Sequence, residues 1–114
     1  MIYTGCTIGA VSARPPASTE PEIARELNRA AREAIGKHGV TKASTRTVAG
    51  TRALVLVNAN TIDAYGMEVA LKRQLVLLWR RGSKVTLDCF ATTPDFAKAQ
   101  DMFDAIAASM AFDR

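Results

Sequence analysis

Histidine and cysteine are scarce in this 114-residue chain, which has one of the former and two of the latter. His38 stands beside two glycines, with no serine or cysteine nucleophile and ordering acid placed near it by any motif. Hydrolytic triad chemistry therefore has no foothold. Cys6 and Cys89 lie far apart, form no CxxC and have no His or Cys neighbours at metal-ligand spacing. Neither a metal nor any other cofactor is expected. Buried free thiols are the simplest state for the pair, and a bridge between neighbouring strands is the alternative in an oxidising compartment. No glycine cluster matches a phosphate loop or dinucleotide fingerprint. No apolar run reaches the roughly 18 to 20 residues that would cross a bilayer as a helix. Repeats, low-complexity tracts and a basic-plus-apolar secretory leader are also missing. As written the chain reads as cytoplasmic; removal of an N-terminal leader would make it periplasmic or envelope-associated.

Charge is modest at +4 and uneven. Eight Lys or Arg face four acids up to Val57, and seven face seven afterwards. The excess falls mainly on the first helix and its following loop, where solvated helix-face charge is the plain reading. Nucleic acid is not an expected partner, because neither a groove-reading helix nor aromatics displayed on a sheet accompany that charge.

The residues that are present give a clear order of elements. Ile2 to Ala13 is a Thr, Ile and Val-rich strand ended by Arg14-Pro15-Pro16. Thr19 and Glu22 form a capping box ahead of a helix whose apolar stripe is Ile23, Ala24, Leu27, Ala30, Ala31, Ala34 and Ile35. Gly36 and Gly39 stop it, with Lys37 and His38 in its last turn. Thr41 to Val48, dense in Thr and Ser, fits an exposed or edge strand, and Ala49-Gly50 turns into an apolar central strand from Arg52 to Thr61.

The segment from Gly66 to Gly82 then reads as one very long strand. Met67, Val69, Leu71, Leu75, Leu77 and Trp79 share one face, interrupted by Arg73; Glu68, Lys72, Gln74 and Arg80 share the other with Ala70, Val76 and Leu78. A hairpin at Arg81-Gly82-Ser83 leads to a return strand carrying Val85, Leu87, Cys89 and Ala91. Thr93 caps the closing helix, Pro94 takes its first position, and Phe96, Ala99, Phe103, Ile106, Ala107 and Met110 form its core stripe, with Phe112 packing beyond the end. Asp95, Asp101 and Asp104 read as its solvated side. The result is one α+β domain over residues 1–114: a curved antiparallel sheet of about five strands flanked by two helices, in the order β-α-β-β-β-β-α.

If both faces of the sheet are substantially apolar, two helices leave some of its area uncovered, and that area is expected to bind a partner, another copy or an extra segment. Arg73, Gln74, Val76, Leu78 and Trp79 are the candidate partner-binding residues. Trp79 is otherwise core, and Arg73 is otherwise a snorkelling side chain at a sheet margin.

From Val48 to Phe112 the chain resembles the PsbP-like fold, which takes in PsbP proteins, the Mog nuclear-transport factor, DcrB and bacterial Eag-type chaperones. The resemblance rests on VAGTRALVL, on RQLVLLWRRGSKVTLDCFAT and on PDFAKAQDMFDAIAASMAF. It implies a non-catalytic adaptor or chaperone-like module that uses an apolar sheet surface. In Eag-type proteins that surface shelters apolar helices of type VI secretion effectors, usually in dimers, and Gln74 with its apolar neighbours holds the matching position. The alternative is a small-ligand or lipid-binding envelope protein of the DcrB type, with an enclosed cavity between sheet and helix and Arg73 holding an acid group.

Overall fold

A computed structural model describes residues 4–110. Strands β1 (Thr4–Ser12), β2 (Val40–Val48), β3 (Thr51–Ala64), β4 (Met67–Arg80) and β5 (Ser83–Thr92) form one sheet, with helices α1 (Glu20–Ala34) and α2 (Thr93–Ala108) completing the expected order. The strands lie in the order β1-β5-β4-β3-β2, every neighbour antiparallel. Strand β1 thus sits beside β5, far from it in sequence. Phe112, expected to pack past α2, lies outside the described residues.

Local chemistry accounts for the boundaries. Thr19 caps α1, its Oγ1 accepting from the Glu22 amide at 3.4 Å. For α2 the capping residue is Thr92 rather than Thr93; its hydroxyl donates to Asp95 Oδ2 at 2.9 Å. His38 falls in the turn after α1 and not in its last helical turn. The β4-β5 hairpin places both Arg81 and Gly82 at positive φ, the geometry that matches the strand twist across a two-residue turn.

Strand parity puts two different cores on the two faces. On one, α2 buries Phe96, Phe103 and Ala107 against Val55, Val57, Val76, Leu78, Val85, Leu87, Cys89 and Ala91. Ala99, Ile106 and Met110 pack around them, so the stripe read from the sequence of α2 is the stripe that is used. On the other, Leu27 and Ala31 of α1 meet Leu54, with Ile23, Leu56, Leu77 and Trp79 packed against them. Each large apolar side chain so buried stabilises the fold by roughly 1.5–3 kcal/mol. The face of β4 that looked more polar, with Gln74, Val76 and Leu78, is the more deeply covered one.

The cysteines are bridged, not free. Cys6 and Cys89 stand directly opposite in the β1-β5 register and form a disulfide that closes a separation of 83 residues. Next to them Phe90 lies over Gly5, where a Cβ would come within 3.3 Å of the ring.

Candidate functional site: a cationic groove beside an open strand

The helices cover the sheet diagonally. Helix α2 lies on β4 and β5, whereas α1 lies on β2 and β3 from the opposite side. The α2 face over β2 and β3 is therefore left as a groove. Its volume is about 380 Å³, and Lys42, Ser44 and Arg46 of β2, Val55 of β3, Gln74 of β4 and Gln100 of α2 line it. A smaller adjoining hollow of about 150 Å³ shares Lys42 and Gln100 and ends on Lys72 and Phe96. Strand β2 forms the rim and is an edge of the sheet, so one side of its backbone has no strand neighbour among the described residues.

Gln74 closes the inner wall. It is 1% exposed, the one buried polar side chain among the described residues, and it is held at both ends of its amide. Its Nε2 donates to Asp104 Oδ1 at 2.9 Å, and its Oε1 accepts from Gln100 Nε2 at 3.3 Å. Arg46 reaches the same Asp104 oxygen from the rim at 3.1 Å. A buried amide is tolerated only with such partners. Here they tie β2, β4 and α2 together while leaving Lys42 and Lys72 as cations along the groove, with Lys72 resting 5.8 Å from the Phe96 ring centre.

The five residues expected to bind a partner do not share a surface. Val76 and Leu78 are core beneath α2, because their strand parity points them at Phe96 and Phe103, and they offer nothing to a partner. Gln74 is buried but borders the groove. Arg73 and Trp79 point to the opposite face. Arg73 does hold a carboxylate, but it is the chain's own: its guanidinium meets Asp88 at 3.1 and 3.2 Å and lies over the Phe90 ring at 6.0 Å. Trp79 is half-buried beneath α1, with Lys84 5.8 Å from its ring centre.

Lys42, Arg46, Gln100 and Asp104 were not singled out from sequence. Asp104 read as solvated, yet it follows Phe103 and lies one turn after Gln100, so that i, i+4 pair flanks the apolar stripe and was the available signal. Among the described residues no group of three His, Cys, Asp or Glu side chains could hold a metal ion. Among the described residues no helix is long and apolar enough to cross a membrane.

A second cavity of about 380 Å³ lies between the end of α1 and the sheet, lined by Ala30, Ala34, Val40, Leu56 and Leu75 with Asn58 at its side. It is open rather than enclosed, and Arg73 is not part of it.

No protein-family model and no curated protein matches this sequence. Among solved structures, the crystal structure of a protein of unknown function, PA94 from Pseudomonas aeruginosa, is similar over 98% of this chain and 85% of its own, with a TM-score of 0.54 and 15% identity. At that identity the similarity is one of fold.

Proposed function

We propose that this protein is a non-catalytic binding module that receives an extended, acidic peptide segment as an added strand on β2. The observation that supports the reading is the coincidence of an open strand edge with a cationic groove along one of its faces. An extended segment added to β2 would gain main-chain hydrogen bonds and set every second side chain beside Lys42, Ser44 and Arg46. Lys42 and Lys72 supply charge, and the Gln74-Asp104 hydrogen bond fixes the inner wall. This keeps the adaptor or chaperone-like role implied by the PsbP-like resemblance and moves it from Val76 and Leu78 to the rim. The disulfide favours an oxidising compartment, and so the periplasmic or envelope alternative over the cytoplasm.

The test is fluorescence anisotropy with labelled β-prone peptides of equal length, one acidic, one neutral and one basic, against the native protein and Lys42→Glu. Binding ordered acidic, neutral, basic, and reversed or lost in the variant, supports the reading. Equal binding of all three peptides, or none by the acidic one, removes it.

A second reading, the small-ligand carrier, has one observation in its favour. Asn58 Oδ1 is buried beside the apolar cavity under α1 and accepts no hydrogen bond among the described residues, so a ligand with an apolar body and one donor would complete it. Native mass spectrometry of the purified protein would show such a ligand as a discrete added mass that Asn58→Leu abolishes.

A further inference from the structure

The two ends of the molecule are complementary to each other. The structure measures 47 Å along its longest axis, and β3 and β4, each of 14 residues, run most of that length. Pairing with β2 stops at Asn58 and pairing with β5 stops at Leu71, so Thr61 to Ala64 and Met67 to Ala70 pair only with one another. They form a projecting ribbon. At its tip Tyr65 is 84% and Met67 66% exposed. Asp63 and Glu68 stand directly opposite each other across the ribbon, and neither enters an ion pair among the described residues. Like charges placed this way disfavour the pairing unless something of opposite sign arrives.

The far end of the same two strands is basic. Arg52, Arg80 and Arg81 surround a cavity of about 360 Å³ whose apolar wall is Trp79 and Ile23, and Glu20 is its one carboxylate. Arg52 donates to Thr45 Oγ1, a hydroxyl that leaves the guanidinium charge uncompensated. Lys84 adds a further cation over Trp79. A tyrosine ring flanked by two carboxylates matches the Trp79-Ile23 wall in apolar character and the arginines in sign. Because tip and cavity lie at opposite ends of two rigid strands, one chain cannot bring its own pair together.

We propose that the β3-β4 tip of one copy docks in the arginine-lined cavity of the next, Tyr65 against Trp79 with Asp63 and Glu68 toward Arg52 and Arg81. The two contacting surfaces differ, so the contact is heterologous and propagates head to tail instead of closing a dimer. It is independent of the β2 groove.

Sedimentation equilibrium over a concentration series tests it. At about 0.1 M salt the average mass should rise steadily with concentration without levelling at a dimer, and it should collapse toward the monomer at about 1 M salt, where the screening length shrinks to roughly 3 Å. Asp63→Lys with Glu68→Lys, and separately Arg52→Glu with Arg81→Glu, should each stay monomeric while keeping the native circular dichroism spectrum. Mixed in equal amounts, the two variants should associate again, because each then presents the end the other needs. Tyr65→Ala should weaken native association at least tenfold. A native protein that stays monomeric, association that survives either reversal, or folded reversal variants that fail to associate on mixing each overturns the proposal. An unfolded variant is recognised from its spectrum, and Tyr65→Ala then decides.

Discussion

Gln74 Nε2 donates to Asp104 Oδ1 at 2.9 Å, and Arg46 donates to that same oxygen at 3.1 Å, so one carboxylate joins a central strand, an edge strand and a helix. The three groups differ in burial, which makes the consequences of removing them unequal. Asp104→Ala would leave the Gln74 amide donor enclosed without its acceptor and should cost about 2 kcal/mol. Gln74→Leu removes the buried polar group itself and leaves Asp104 with Arg46 and water, so about 1 kcal/mol is expected. Urea denaturation of the two variants checks the order; a larger loss for Gln74→Leu would show that the amide does more than satisfy its neighbours.

Trp79 is packed under α1 but only half-buried. Trp79→Ala should therefore cost about 2 kcal/mol, below the roughly 3–5 kcal/mol of a fully enclosed tryptophan. Thermal and urea unfolding give the number, and a cost within that range would mean that the indole anchors α1 more firmly than its exposure implies.

The Cys6-Cys89 bridge joins residues 83 apart, a loop whose closure restricts the unfolded chain by about 4 to 5 kcal/mol in the chain-entropy account. Reduction, or Cys6→Ser with Cys89→Ala, should lower stability by about that amount. Amide exchange should then rise first in β1, the outer strand that the bridge fastens. Unchanged exchange in β1 would mean that backbone pairing alone holds it.

Gly39 and Gly36 make a paired test of backbone geometry. Both have positive φ, but a Cβ on Gly39 would sit 2.5 Å from the Ala59 carbonyl oxygen, while one on Gly36 meets nothing within 4 Å. Gly36→Ala should cost about 1 kcal/mol, the conformational penalty alone. Gly39→Ala should cost appreciably more, since the Ala59 amide also donates to the Gly39 carbonyl at 2.9 Å and that bond must shift. Equal losses in a denaturant series would show that β3 yields at Ala59 without resistance.

On the outer face of α1, Arg29 binds Glu26 at 2.6 Å and Glu33 at 2.9 Å. The hydrogen bond from Arg29, then its charge, holds the Glu26 carboxyl below the ordinary glutamate value. The folded state thus favours the ionised form. The resulting stabilisation is present above the ordinary value and disappears as pH falls through the lowered one. Lying at the surface, the pair should show a small effect that salt removes. Stability measured against pH for Arg29→Ala and the native chain should converge in acid; a gap that persists there would point to lost packing of the arginine stem.

Much of the architecture was legible because it depends on local periodicity. The stripe from Phe96 to Met110 and the alternation from Met67 to Arg80 each record which side of an element meets a core. The relative depth of the two faces of β4 was not legible. Gln74, Lys72 and Arg80 make one face look wet, yet Gln74 finds both its partners on α2 and Lys72 lies along Phe96. The cysteine pairing depended on β1 lying beside β5, which no nearby residue encodes. The groove escaped for a similar reason: it exists because α1 and α2 are offset across the sheet, and Lys42 and Arg46 look like ordinary edge-strand charges until that offset is known.

The strand order also sets a timetable for a chain made from its N-terminus. Residues Thr4 to Ser12 pair, among the described residues, with Ser83 to Thr92 alone, and α2, which roofs that neighbour, comes later still. Until then β1, uncharged and built largely of small residues, waits without its template. The hairpins β2-β3, β3-β4 and β4-β5 can assemble in sequence as they emerge, so the sheet grows from the β2 side and its N-terminal strand is the last to be laid in place.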